Sequence, residues 1–371
     1  MVFSTTLSKP DLVYKEMENR ILSQKWPINS LIPSEMELCQ EFDCGRSTVG
    51  KAIDRLVHEG LVERRRRSGT RVIKNSAPST ASAARLNAYA FIYPGESEKH
   101  DGIWRTVKGF QSTARSQQRR VITLSAESDY EKEAESLLRL LELDVQGAVI
   151  YPLIASPDEQ IRFCKMLLES KTPIVLVDLI LSGMHCPSVV VDNFHAGYTM
   201  TRHLLDQGLT RIGFFANHAF ATSVLDRYNG YLWALEEAGL ATTEAWVMLE
   251  ADCHSDYAQP LREPTTQARA YLQRAAGMEG VVCSQDFMAH GLMGAAAEMG
   301  LSVPSDLKVT GIDDLAVPSV GRPGLTTYHV PFEQMGAKAF EILDALVNNQ
   351  ARPSVQTRVR GEIVIRESSV A

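Results

Sequence analysis

From Tyr89 onward the chain alternates short apolar segments with longer polar-faced stretches, and this alternation constrains its fold more than any other feature. The apolar segments are Tyr89–Tyr93, Val121–Leu124, Gly147–Tyr151, Pro173–Val177, Val189–Val191, Arg211–Phe215, Gly280–Cys283 and Val309–Ile312. Between most of them lie amphipathic stretches such as Asp129–Leu143 and Phe194–Gln207, whose apolar residues recur at helical spacing. Strands that alternate with helices build parallel sheets with helices on both faces. A stretch of this length suits two lobes, so residues 88–371 are expected to form a two-lobed α/β body of doubly wound parallel sheets.

The first 75 residues follow another pattern. Leu12, Met17 and Ile21 share a face of a helix from Lys9 to about Gln24. Pro33-Ser34-Glu35 opens a second helix, with Ser34 as its cap. Asp43-Cys44-Gly45 breaks it. A third helix runs from about Arg46 to Glu59, with Val49, Ile53, Leu56 and Val57 on its inner side, and Gly60 ends it. Two short strands, Leu61–Glu63 and Thr70–Ile73, flank the basic run Arg64–Arg67. A small α+β winged helix-turn-helix over residues 1–75 fits this order. Small polar residues and Pro78 over residues 76–87 have linker chemistry.

Charge supports the division. The net charge of −7 hides 13 Lys/Arg against 10 Asp/Glu in residues 1–75 and 25 against 35 in the rest, that is +3 and −10. A basic head on an acidic body suits a polyanion-binding module joined to a separate domain. No apolar run reaches membrane-span length and the first residues lack a signal-peptide pattern, so a cytoplasmic location is expected. The six cysteines form no C-x-x-C pair, and neither a disulfide framework nor a metal site is expected. The histidines have no evident nucleophile partner, and phosphate-loop and nucleophile-elbow patterns are missing, so the sequence reads as a non-enzyme without cofactors.

Residues 10–73 resemble the head of the gluconate-repressor (GntR) family. The matching segments are Ile32–Leu38, Arg46-Ser47-Thr48-Val49, Ala52–Leu56, Glu59-Gly60-Leu61-Val62 and Gly69-Thr70-Arg71-Val72, in order and at the expected spacing. The resemblance places Glu35, Arg46, Ser47, Thr48 and Gly69 where family members touch DNA. Residue chemistry adds Arg66 and Thr70 on the wing; Lys51 stands open between contact and bystander. A helix fits the major groove, where arginine bonds guanine edges or phosphate. Met36, Gly45, Gly50 and Arg67 depart from the family pattern, which affects base reading rather than fold. Arg55 is expected to serve as a structural ion-pair partner.

Residues 88–365 resemble the regulatory domain of the lactose/galactose-repressor (LacI) family, itself similar to periplasmic sugar-binding proteins of type I. The segments that carry the resemblance are Val191–Gly197, His203–Gly208, Arg211–Phe215, Asp226–Tyr231, Ala234–Gly239, Val303–Leu307, Gly311–Asp314 and Pro323–Thr327. The first lobe, residues 88–187, matches mainly by pattern. Open parallel sheets bind ligands beyond the carboxyl ends of their strands, and Asp178, Gln285-Asp286 and Asp313 follow strand segments directly. By resemblance Arg227 and Asp313 are ligand contacts, and Gln285 replaces a common asparagine. Asp178, Trp104, Arg227, Gln285 and Asp313 are therefore the ligand-site candidates, with Trp104 open between core and cleft. Asp286 is expected to cap the next helix, and Asp192 is either a contact or a turn former.

The resulting expectation is a transcription regulator, a repressor whose affinity for a pseudo-palindromic operator changes when a small effector, a sugar, binds between the lobes. A homodimer would supply two heads. The alternatives are a sugar-binding module without specific DNA binding, a solute-binding transport protein, and a regulator with a nucleoside or purine effector.

Overall fold

A computed structural model describes residues 9–23, 25–58, 60–65, 69–73, 88–94, 101–125, 145–152, 154, 157–170, 172–181, 183–251, 259–317, 323–350 and 355–370. The chain divides into two compact units, Met1–Arg85 and Leu86–Ala371.

In the first unit, helices α1 (Lys9–Leu22), α2 (Glu35–Glu41) and α3 (Arg46–His58) precede a hairpin of β1 (Val62–Arg65) and β2 (Gly69–Val72). Met17, Ile21, Leu38, Val49, Leu56 and Val72 are buried in one core, each contributing about 1.5–3 kcal/mol of transfer free energy. Ser34 and Glu37 form a reciprocal cap. The Glu37 amide donates to Ser34 Oγ at 3.3 Å, and the Ser34 amide donates to Glu37 Oε2 at 2.7 Å. This settles two otherwise orphaned N–H groups and fixes the start of α2. The hairpin is antiparallel, pairing Val62 with Val72 and Arg65 with Gly69. Gly69 has φ +80°, a left-handed conformation that favours glycine.

Among the described residues, the second unit holds two six-stranded sheets. The first combines β3 (Ala88–Tyr93), β4 (Arg120–Ser125), β5 (Gly147–Ile150), β6 (Ile174–Val177), β7 (Ser188–Val191) and a late strand, Gln356–Val359, in the order late strand, β7, β6, β5, β3, β4, all parallel. The second sheet begins with β8 (Ile212–Ala216), β9 (Val247–Leu249), β10 (Gly280–Cys283), β11 (Lys308–Asp313) and β12 (Thr326–His329). The late strand of the first sheet is β13, and β14 (Glu362–Val364) completes the second, where the order is β14, β12, β11, β10, β8, β9. Only β14 runs antiparallel to its neighbour among these pairs. The strands expected from sequence are all present within two residues of their limits. The segment Asp129–Leu143 lies outside the described residues.

Helices cover these sheets and position the site. Helix α4 (Asp101–Ser116) belongs to the first lobe, and α5 (Pro157–Glu169) follows β5. Helices α6 (Asn193–Leu205) and α7 (Thr222–Glu237) pack on each other in the second lobe, followed there by α8 (Arg262–Arg274) and α9 (Asp286–Glu298). Helix α10 (Phe332–Val347) returns to pack on α4 and β5–β7 of the first lobe. The chain thus crosses between lobes three times: at Asp192, after His329, and between Val359 and Glu362.

Both lobes use the same close-packing device. A Cβ on Gly197 of α6 would lie 1.9 Å from the Arg227 carbonyl oxygen, and one on Gly230 of α7 2.1 Å from that of Phe194. In the first lobe, a Cβ on Gly109 of α4 would lie 2.0 Å from the Glu333 oxygen, and one on Gly336 of α10 1.9 Å from that of Thr106. Each helix pair meets backbone to backbone, where only glycine fits.

Candidate functional site

The carboxyl ends of the parallel strands in the two lobes present the polar groups of the body. In the first lobe, Tyr151 follows β5 and donates its hydroxyl to Asp178 Oδ2, which follows β6, at 2.9 Å. Asp178 adopts φ +60° and remains half-buried. In the second lobe, Arg227 projects from α7 and is buried. Its Nε donates to Asn193 Oδ1 at 2.9 Å, one terminal nitrogen to the Ser284 carbonyl, and the other to Asp313 Oδ1 at 3.3 Å. Gln285, at the end of β10, donates from Nε2 to Asn217 Oδ1 at 2.7 Å, and Asn217 follows β8.

These groups act on one another across the lobes. Burial raises the Asp178 carboxyl, opposed by the Arg227 charge and the Tyr151 hydrogen bond. Burial lifts Asp313 to about 6, countered by Arg227 and reinforced by the negative charge of Asp178. The Tyr151 hydroxyl is pushed upward by burial and then by Asp178, so it stays a donor. Arg105 of α4 reaches from the first lobe to the second: it is held by both Glu333 carboxylate oxygens, at 2.8 and 3.0 Å, and donates to the Asp314 carbonyl at 3.4 Å.

Of the sequence-derived candidates, Asp178, Arg227 and Asp313 therefore face one another between the lobes, whereas the Gln285 side chain is bonded to Asn217. Trp104 is half-buried on α4, packed against the core, with the Lys108 ammonium 5.6 Å from its ring centre. Asp286 does not cap α9. Its carboxylate instead accepts from Thr327 Oγ1 at 2.6 Å and from the Leu315 amide at 2.8 Å, because burial beside β12 offers it donors that its own helix does not. Asp192 is a structural residue: it accepts from the His195 amide at 3.2 Å, capping α6, and from Arg360 Nε at 2.7 Å. Sequence reasoning misses Tyr151, Asn193 and Asn217. The rule that picks out Asp178, a polar residue just past an apolar strand, also fits Asn217, whereas Tyr151 falls inside the strand expected at Gly147–Tyr151.

The three crossings are tied together by side chains. The Tyr328 hydroxyl accepts from the Gly361 amide at 2.8 Å and meets His195 Nδ1 at 2.9 Å. Burial, then the nearby Arg360 charge, lower the His195 pKa, so a neutral ring accepts the Tyr328 proton. Gly361 allows this approach, since a Cβ there would lie 1.8 Å from the His329 carbonyl oxygen.

In the head, Arg46, Ser47 and Lys51 of α3 are exposed and Thr48 is partly so. Gly69 is exposed and Thr70 half-buried on the wing strand. Glu35 bonds Arg64 at 2.8 Å, and Arg64 also bonds Asp54 at 2.7 Å, so the first arginine of the basic run anchors the wing to α2 and α3. Arg66 lies outside the described residues. Arg55 places its guanidinium 4.0 Å from the centre of the Tyr14 ring, a packing role.

A winged helix with an open helix face, joined to a two-lobed body with a polar interlobe cleft, defines an effector-responsive DNA-binding regulator. The comparisons with known proteins agree. Residues 11–72 match the family of bacterial regulatory proteins of the gntR type, and residues 201–369 match the periplasmic binding protein-like domain. The chain belongs to the bacterial transcription regulators that join a GntR-type head to a LacI-like, periplasmic-binding-protein-like body. It is 25% identical over 374 residues to the arabinose metabolism transcriptional repressor of Geobacillus stearothermophilus, covering 98% of each chain. It is 30% identical to the transcriptional regulator GalR of Escherichia coli K12, over 65% of this chain and 67% of that one. The crystal structure of the regulator CcpA of Lactococcus lactis superposes with TM-score 0.67 at 26% identity, covering 77% of this chain and all of that one. No helix among the described residues is long and apolar enough to cross a membrane.

Proposed function

We propose that this regulator is a homodimeric, cytoplasmic repressor whose operator affinity is set by a sugar held between the two lobes of residues 88–371. The observation that supports it is the approach of Asp178 and Tyr151 from one lobe to Arg227 and Asp313 from the other, with Gln285 added by its place after β10. Carboxylates, a guanidinium and an amide at fixed positions match the paired donors and acceptors of vicinal hydroxyls. Trp104 adds an aromatic face against which the apolar side of a sugar ring can stack. The names of the arabinose repressor and GalR support a sugar over other small effectors.

In the head, Arg46, Ser47, Thr48 and Lys51 of α3 enter the major groove, with Gly69, Thr70 and Arg66 of the wing on the backbone. Glu35 holds the wing through Arg64 and so acts on DNA indirectly. A sugar that binds one lobe arrangement better than the other shifts the population, and operator affinity follows by linkage.

The test is fluorescence anisotropy of the full chain on duplexes selected from a random pool. Specific binding should weaken steeply as salt rises, and R46A should lower affinity at least roughly tenfold. Equal affinity for selected and scrambled duplexes would favour a sugar-binding module whose head no longer reads sequence.

A further inference from the structure

The ligand cleft carries more negative than positive charge. Asp178 and Asp313 flank one guanidinium, that of Arg227. Three of its five N–H groups are spent on Asn193, Ser284 and Asp313. Of the other basic groups near this region, Lys108 is exposed, with its ammonium 5.6 Å from the Trp104 ring centre. It lies on the α4 side, away from the Asp178–Asp313 gap, where Arg227 is the only bonded cation among the described residues. Arg105 is clamped by Glu333, and Arg366 and His329 both bond Asp314, at 2.7 and 2.9 Å. The Tyr151 hydroxyl is spent on Asp178, and one Gln285 amide proton on Asn217. What the two facing walls still offer is chiefly acceptors: the second oxygens of Asp178 and Asp313. The Ser284 hydroxyl, fully buried beside Arg227, has no hydrogen-bond partner among the described residues.

Resting on the proposed effector role of this cleft, we infer that the effector is a non-anionic polyhydroxy ligand whose hydroxyl protons bridge Asp178 of the first lobe and Asp313 of the second, and that phosphorylated and carboxylated sugars are excluded. An anionic group placed between the two lobes would face at least two carboxylates for each guanidinium, in a site shielded from solvent where like charges repel strongly. A neutral polyol does the reverse. Its hydroxyls donate to both carboxylates, lessen the repulsion between the facing walls, and so favour the closed arrangement. Burial together with Asp178 makes ionised Asp313 costly, despite Arg227, and donors supplied by the ligand relieve that cost.

The experiment is isothermal titration of the full chain with matched pairs: D-galactose against D-galactonate and galactose 6-phosphate, L-arabinose against L-arabinonate, and D-ribose against ribose 5-phosphate. At least one neutral member should bind, with its anionic counterparts at least roughly tenfold weaker. In D178N, which keeps an acceptor for the Tyr151 hydroxyl, the gap between the members of the binding pair should shrink because the anion is admitted. Tighter binding of an anionic member overturns the inference. So does a D178N variant that weakens both members equally, which would make Asp178 merely structural. Absence of binding by any neutral member, in a chain that still selects DNA by sequence, also overturns it while leaving the head's role intact. Loss of sequence-selective DNA binding would instead sink the regulator proposal and leave the sugar titration to be judged by itself.

Discussion

The two lobes share one packing device and differ in what they do with it. Each crosses two helices at facing glycines, Gly109 with Gly336 and Gly197 with Gly230, and each carries an arginine about one helical turn before a glycine of the pair. In the second lobe that arginine, Arg227, is buried and bonded to three separate elements. In the first, Arg105 is more exposed and bonded mainly to Glu333. Under the proposed function, the second lobe is therefore a preorganised wall, its Arg227 already held by Asn193, Ser284 and Asp313. The first contributes the Tyr151–Asp178 pair and a surface arginine that reaches across to the Asp314 carbonyl.

The largest effect should come from the glycines, and it should be symmetric. G230A and G336A each drive a methyl into a backbone oxygen that cannot rotate away, so each should lower the melting temperature by more than the ~1–3 kcal/mol of ordinary overpacking implies. A mild effect in one lobe alone would break the equivalence. The arginines should then separate the lobes. R227A leaves Asp313 buried without its cation and should cost about 3–5 kcal/mol, whereas R105A breaks a partly exposed pair worth at most ~1 kcal/mol. Urea unfolding of both variants checks this, and equal losses would contradict the contrast.

Much of this is legible in the sequence. Strands and helices follow from apolar periodicity, and the Ser34 cap from the residues that open α2. Asp178, Arg227, Gln285 and Asp313 follow from strand ends and family resemblance. The late strands Thr326–His329, Gln356–Val359 and Glu362–Val364 do not stand out, nor does Val247–Leu249. Three of these carry Thr, Gln, Arg or Glu, because edge and crossing strands need not be apolar throughout. Asp286 reads as a cap because sequence shows local neighbours only, and its donors come from Thr327 and Leu315. Tyr151 is hidden at the end of an apolar run, where a phenol looks like core until its hydroxyl is seen against a carboxylate.

Smaller effects sharpen the comparison at the hinge and the cleft. Y328F removes a buried hydroxyl that serves Gly361 and His195, and should cost about 1–3 kcal/mol. If it also alters effector affinity, the crossings help set the balance between open and closed lobes. Effector affinity should rise with pH through about 6. Ligand hydroxyls that donate to Asp313 favour its ionised form, so binding releases a proton there. Asp178, Asp286, Arg227 and Tyr151 face this carboxyl, and the change should stay within roughly tenfold per pH unit. D313N should flatten that slope. In the head, Gly50 sits on α3 with no neighbouring atom within 4 Å of where a Cβ would stand. G50A should therefore stabilise the head by about 0.5–1 kcal/mol, read as a small rise in its melting temperature.

The most direct test of the whole account titrates the sugar found by calorimetry into the complex of the full chain with its selected duplex, at fixed salt, and follows anisotropy. The account predicts that the duplex affinity changes several-fold as the sugar saturates, and that D313N abolishes the change while leaving sugar-free DNA binding intact. An affinity that stays constant while the sugar demonstrably fills the cleft would contradict it, because the two lobes would then bind a ligand that the head never senses.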